Sequence, residues 1–364
     1  MKAGIDALGG IKSIIGTEEK VLVKPNFLSA AEADKAITTH PAVIEGMFRI
    51  LNEEGFADVA YGDSPGHGSC EGAAKKLDLQ PIADKYGVAR ADMETSILTE
   101  YPEGQTAKSF HYCKGIVEAD AIINLCKMKT HALERITGAV KNVYGYICGA
   151  HKAAGHVKYP NPAIFARMLA DIHNSTDTRV HIMDGIIAME GNGPSGGDPI
   201  EMGVMLFSKD PVALDTAFCH IVYLNPEIVP TNAQGEAMGI GTYDDSLIEY
   251  ILVDGGISEE ITVEQLQKLF GKRDFKVDRK GGSKSLMGRL SAVSMFFAKK
   301  PVIKKKDCIK CGICVDHCPV PGKAVDFRNG DRTQPPVYDY KKCIRCYCCQ
   351  EMCPQKAITV RGRG

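Results

Sequence analysis

The sequence predicts an α/β fold, a mixed or mostly parallel sheet with helices on both faces, followed by a small α+β module built around cysteines. Two observations carry this. Short β-rich runs recur between residues 21 and 253 and alternate with helix-length amphipathic stretches, the pattern of strands joined by crossover helices. In addition, 9 of the 14 cysteines fall in the last 57 residues at tight, regular spacing, whereas the other five are scattered singly. The 364 residues suffice for about two domains. The boundaries are placed at 1–270 for the α/β part, 271–301 for a basic linker and 302–364 for the cysteine module.

The strand candidates, in order, are Val21–Val23, Val59–Tyr61, Ala121–Leu125, Val180–Met183, Gly203–Phe207 and Tyr250–Val253. Helices are expected near 41–54, 69–86, 161–175, 211–223 and 231–239. The stretch from Gly271 to Asp307 carries 12 Lys/Arg, and Ser285–Ala298 within it reads as one helix, either a packed linker with a solvated basic flank or a docking or membrane-surface helix. No run reaches the ~18 consecutive apolar residues of a membrane span. The first residues, with Asp6 and glycines among them, do not read as a secretory signal. A cytoplasmic protein is expected, and in that reducing compartment dense cysteines are metal ligands rather than disulfides.

Net charge is −1, but it is unevenly distributed: residues 302–364 sum to +7 and residues 1–301 to −8. The two parts are complementary and suited to docking on each other. The small overall charge argues against a generic nucleic-acid binder.

The tail reads Cys308-x2-Cys311-x2-Cys314-x3-Cys318-Pro319 and then Cys343-x2-Cys346-x2-Cys349-x3-Cys353-Pro354. Each run has the spacing of a 4Fe-4S site in which three thiolates wrap one cube and the fourth, before proline, reaches the other. One cluster is thus expected on Cys308, Cys311, Cys314 and Cys353, and a second on Cys343, Cys346, Cys349 and Cys318. Soft thiolates suit iron in both oxidation states, and Gly312 gives the first loop a tight turn. Zinc in the paired C-x2-C units is the competing reading. Cys348 stands outside the spacing, as a bystander or as a sulfur near a cluster. The segment resembles a bacterial two-cluster ferredoxin, down to Cys-Pro-Gln-Lys-Ala-Ile after the second run. It departs in having two extra residues after Pro319, a long connection to Cys343, and a basic rather than acidic balance.

In the first part, polar motifs cluster where strands end, the place where open α/β sheets hold ligands. Lys24 and Asn26 follow the first strand and Gly62–Gly68 the second. Lys127, Lys129 and His131 follow the third, then come Lys141 and Asn142, Lys152, His156, and the glycine-rich Gly191–Gly197. Gathered in one pocket, Lys24, Lys127, Lys129, His131, Lys141, Lys152 and His156 would bind an anionic small molecule, with Asn26 and Asn142 as further polar contacts. The bland alternative is solvated lysines and capped histidines. No G-x-G-x-x-G lies between a strand and a helix and no G-x4-G-K-[ST] is present, so NAD and ATP sites are not supported, and no nucleophile elbow is found. Cys126 and Cys148 flank the cationic motifs as small buried residues or activated thiols.

Taken in order, VLVKPN (21–26), TTHP (38–41), YGDSPG (61–66), NLCKMKTH (124–131), TGAVKNVYG (137–145), MDGIIAMEGNGP (183–194) and SKDPVALD (208–215) resemble the domain-of-unknown-function family numbered 362. Many of its members carry a C-terminal two-cluster module. The resemblance implies this two-part layout in an anaerobe's cytoplasm and no particular reaction. Relatives usually have a strand before the first helix, with which this chain starts, so one edge of the sheet is left open. The expectation is an iron-sulfur protein with two 4Fe-4S clusters that passes single electrons. The electrons go either to a partner, with an acidic ferredoxin or flavodoxin attracted by lysines around the ligands, or to a site in the N-terminal domain. The enzymatic alternative is a reductase or maturation oxidoreductase with Lys129, His131 and His156 as candidate catalytic groups. A purely structural role for the clusters is the third reading.

Overall fold

A computed structural model describes residues 1–280 and 299–361. The helix expected over Ser285–Ala298 lies outside the described residues. The strands are β1 (Val21–Pro25), β2 (Val59–Tyr61), β3 (Ala89–Arg90), the hairpin β4 (Ser96–Glu100) and β5 (Ser109–Cys113), β6 (Ala121–His131), β7 (Arg135–Thr137), β8 (Thr178–Glu190) and β9 (Asp198–Ser208). The central sheet runs β3-β2-β1-β6-β8-β9, with β7 folded back on β6. Pairings among β1, β2, β3, β6 and β8 are parallel, and β7 and β9 run antiparallel.

Every residue of β1 and β6 is buried, as expected of central strands covered on both faces. Strand order reverses direction at β1: the chain first builds outward to β2 and β3, then crosses to the other side as β6. The crevice outside the carboxyl ends of β1 and β6 is therefore the switch point of the sheet. Strand β6 continues past the end of β1 for several residues, carrying Lys129 and His131 out to that crevice before turning through Arg135, whose φ is 68°.

Three helices begin the same way, with a capping side chain followed by proline at the first position. The His40 ring nitrogen accepts from Ala42 N before Pro41–Glu53. Asn161 Oδ1 accepts from Ala163 N before Pro162–Asn174, and Asp210 Oδ1 from Val212 N and Ala213 N before Pro211–Ile221. The side chain satisfies an orphan N–H and proline needs none. The single helix expected near 69–86 is two, Cys70–Lys76 and Gln80–Tyr86, because Asp78 adopts φ 52° and Pro81 cannot continue a helix from the preceding turn. The last expected strand of this part, β10 (Ile251–Asp254), leaves the sheet altogether and pairs with β11 (Ile257–Glu260) across Gly255-Gly256, both at positive φ.

The cysteine module contributes β12 (Lys300–Ile303), β13 (Val325–Asp326), β14 (Val337–Tyr338) and β15 (Ile358–Arg361), paired as two small antiparallel sheets. Short helices cover Ile313–Asp316 and Cys348–Glu351. Among the described residues no helix is long and apolar enough to cross a membrane.

The segment Ala139–Asn142, which carries Lys141, is pinned by Asp215. This buried carboxylate accepts from Ala139 N at 2.6 Å and Val140 N at 3.2 Å. Asp215→Ala leaves two buried N–H groups unpaired and is expected to cost about 2 kcal/mol. Urea unfolding should show a lower midpoint at unchanged slope.

Candidate functional site

A cavity of about 600 Å³ opens at the switch point, walled on one side by the α/β domain and on the other by the cysteine module. Each first-domain wall residue comes from a strand end or the loop just beyond it: Lys24 and Asn26 from β1, Asp63 and Ser64 after β2, Lys129 and His131 from β6. Lys141 and Asn142 follow β7, and Lys152 and His156 lie on the helix His151–Lys158. The opposite wall includes Cys318, Cys348 and Glu351.

The lysines are held by buried acceptors. Lys24 Nζ lies 3.0 Å from Asp63 Oδ1 and donates to Asn142 O at 2.6 Å. Lys129 Nζ donates to Asn26 Oδ1 and Ile37 O, both at 2.7 Å, and Asn26 in turn donates to Asn142 Oδ1 at 2.7 Å. Lys152 Nζ donates to Ser64 Oγ and Ile147 O. Lys141 differs: among the described residues no acceptor meets its Nζ, which lies 4.9 Å from the ring centre of Tyr144 and 5.5 Å from that of Phe165. Gly145 makes the close packing possible, since a Cβ there would fall 2.0 Å from Asp63 Oδ1 and 2.6 Å from Lys24 Nζ.

Burial dominates the protonation behaviour. It pulls Lys129 down to about 7, helped by Lys141 and Lys127, and Lys152 down to about 8. Lys141 is likewise lowered, by burial first. His156, stacked on Phe165, is lowered to about 4 by burial and is neutral at pH 7. The Nδ1 of His131 accepts from Leu133 N and Glu134 N, which leaves the ring proton on Nε2, 3.1 Å from Glu351 Oε1. Burial raises Glu351, but His131, His156 and Lys141 outweigh it and hold the carboxyl at about 2.

The structure thus brings together Lys24, Asn26, Lys129, His131, Lys141, Asn142, Lys152 and His156 around one space. Lys127 does not belong there. It neighbours Asp184 across β6 and β8, and its Nζ is consumed by that carboxylate at 2.6 Å, which also accepts from His40 N. Cys126 is fully buried, its thiol pushed up by burial. Sequence reasoning passed over Asp63 and Ser64, although both sit in the quoted YGDSPG string, and missed Tyr144. It also missed Glu351, which only the approach of the second module brings in.

The two modules meet through the loop Gly191–Gly197. Gln350 Nε2 donates to Asn192 O, Asn192 Oδ1 and Gly193 O at 2.9–3.2 Å, and Asn192 Nδ2 donates to Ile358 O at 2.9 Å. Lys356 Nζ reaches Gly197 O at 2.7 Å, and His67 and His317 face each other at 3.0 Å.

Within the cysteine module two smaller cavities separate the thiols into quartets. One is lined by Cys308, Cys311, Cys314 and Cys353, the other by Cys318, Cys343, Cys346 and Cys349. Among the described residues no three Cys, His, Asp or Glu side chains close on a single-ion site. The two halves repeat one another in detail. Lys310 and Arg345, Gly312 and Tyr347, and Lys323 and Lys356 all have positive φ at matching positions. Ala324 N donates to Cys318 Sγ at 3.2 Å, and Ala357 N to Cys353 Sγ at 3.3 Å. The first of these donors is six residues on and the second four, so the two extra residues after Pro319 bulge out without moving the N–H···S contact. Glycine is not essential to the tight turn, because Tyr347 takes the same conformation as Gly312 in the second run.

The family described as Domain of unknown function (DUF362) matches residues 21–220, and a 4Fe-4S dicluster domain matches residues 299–357. The Thylakoid-associated protein sll1697 of Synechocystis is 32% identical over 243 residues, which cover 65% of this chain and 73% of that protein.

Gln350→Ala removes the amide that fills three acceptors of the Gly191–Gly197 loop. Faster amide hydrogen exchange is expected in residues 191–197 and 348–352 together, with the sheet strands unchanged.

Proposed function

The chain belongs to the DUF362 family and ends in a 4Fe-4S dicluster domain, and from that premise we propose that it is an oxidoreductase that passes single electrons to an organic anion bound in the cavity between its two domains. The observation that carries this reading is the position of Cys318, which lines both the large cavity and one of the thiol-lined ones. In this reading Cys308, Cys311, Cys314 and Cys353 hold one 4Fe-4S cluster and Cys343, Cys346, Cys349 and Cys318 hold the other, nearer the cavity. The clusters supply one-electron chemistry. The N–H···S contacts from Ala324 and Ala357 and the hydroxyl of Tyr338, 3.2 Å from Cys349 Sγ, stabilise thiolate charge.

The opposite end of the module suits a donor. Cys311 and Ile309 are exposed there, with Lys306 and Lys310 around them, and Lys341 and Lys342 add basic charge beside the other quartet. An acidic one-electron carrier of ferredoxin or flavodoxin type matches this surface. In the cavity, Lys141 meets the anion first, with Lys129 and Lys152 behind it, and His131 is the candidate proton donor through Nε2. The neutral His156 is the other candidate. The division into domains at 1–270 and 302–364 follows from the same reading.

The test is anaerobic purification with iron and acid-labile sulfide analysis, followed by reduction and EPR. About eight irons per chain and reversible one-electron signals are expected; zinc in place of iron, or clusters lost on reduction, would contradict the reading.

Anion binding carries its own expectations, with citrate as the probe. Lys141→Ala loses a charged contact and should weaken citrate about tenfold. Lysine is cationic below its pKa, and Lys129 and Lys152 sit near 7 and 8 rather than at the ordinary 10.5. Citrate affinity should therefore be highest near about pH 6 and fall as pH rises through 7 and 8, with proton uptake on binding visible as a buffer-dependent heat.

A further inference from the structure

Two cysteines outside the tail stand against the cavity wall. Cys113 ends β5 and Cys148 follows the turn after Tyr146. Their segments are joined by the Tyr112–Ile147 bridge and by Cys148 N donating to His111 O at 2.9 Å. Both side chains are buried free thiols. They converge on one carbonyl, Met93 O, which lies 3.1 Å from Cys113 Sγ and 3.9 Å from Cys148 Sγ, and Cys148 Sγ also reaches Glu94 O at 3.1 Å. Lys152, Cys148 and Ser64 all act on the protonation of the Cys113 thiol, which burial dominates. Ser64 and Lys152 are cavity residues, and the Lys152 ammonium interacts electrostatically with both thiols. Two thiols that share one carbonyl, beside a cation lining a cavity whose far wall holds Cys318, are more than two packed small residues.

We propose that Cys113 and Cys148 form a dithiol/disulfide couple that exchanges two electrons with the iron-sulfur module across the cavity. On oxidation two S–H bonds break and one S–S bond forms. Two electrons pass to the oxidised clusters, one to each, and two protons leave to solvent. Reduction reverses each change. The couple gives a module that moves single electrons a place to collect a pair. Burial pushes the Cys113 thiol up, so the reduced form keeps its proton, as a coupled electron-and-proton store requires.

The inference rests on the electron-transfer reading, and the test separates the two. Anaerobic full-length protein is oxidised with thionin, a mild organic two-electron oxidant, or reduced with dithionite. It is then trapped with iodoacetamide under denaturing conditions and digested for mass spectrometry. The oxidised sample should yield a linked peptide pair containing Cys113 and Cys148, and the reduced sample both residues alkylated. In a coulometric titration the wild type should take up about two more electrons per chain than Cys148→Ser, with the same EPR signals in both. Cys113→Ser serves as the second variant should the first not fold. Thiols alkylated in both samples, or equal electron uptake by wild type and variant, would overturn the couple. Clusters that take up no electrons would instead overturn the electron-transfer reading, because the thionin and dithionite trap reads the sulfurs directly.

Discussion

The architecture turns on burying ammonium groups at the ends of parallel strands. An unpaired charge taken out of water costs several kcal/mol, and Lys24 and Lys129 are almost wholly inaccessible. The surrounding chain is organised to meet that cost. Asp63, Asn26, Asn142 and the carbonyl of Ile37 are aimed at these two nitrogens, and Gly145 and the Asp215-pinned segment keep the backbone close enough to serve. The arrangement leaves Lys141 with only aromatic faces and its pKa lowered, a group that gains most when an anion arrives. Burial depresses the cavity lysines, and in the proposed reading an anion would recharge them, so that binding and proton uptake would be one event.

The second domain completes this site rather than standing apart from it. Glu351, on the short helix between Cys346 and Cys353, supplies a carboxylate opposite His131, and Gln350 beside it locks the same helix to the Gly191–Gly197 loop. One turn of helix therefore carries thiols, the docking contact and a charge in the cavity wall. The glycines of the loop serve that docking: a Cβ on Gly193 would fall 2.2 Å from Thr130 O, and one on Gly197 2.2 Å from Glu190 O. The local charges here run opposite to the net charges of the two parts: the acidic domain contributes His131 and lysines to the cavity wall, and the basic module contributes Glu351.

Much of this was legible in the sequence because the signals were local. Continuous apolar runs marked β1, β2, β6, β8 and β9, and the cysteine spacing sorted eight thiols into the two quartets that line separate cavities. Most of the cationic residues gathered as expected because they all follow strand ends on one side of the sheet. The failures share a cause. Lys127 looked like its neighbour Lys129, and only the β6–β8 register reveals that Asp184 stands beside it. Glu351 and the Cys113–Cys148 pair depend on segments far apart in the chain. The hairpin β10–β11 reads like a sheet strand, since nothing in its composition says which strand it pairs with.

The central claim is that the cavity and the nearer thiol quartet form one working unit. The most direct measurement is a potentiometric EPR titration of anaerobic protein with and without citrate, run in parallel on Lys141→Ala. The account predicts two 4Fe-4S signals, one of which shifts in potential when citrate is added to the wild type and not to the variant. Two signals indifferent to citrate, or a response that survives loss of Lys141, would contradict it.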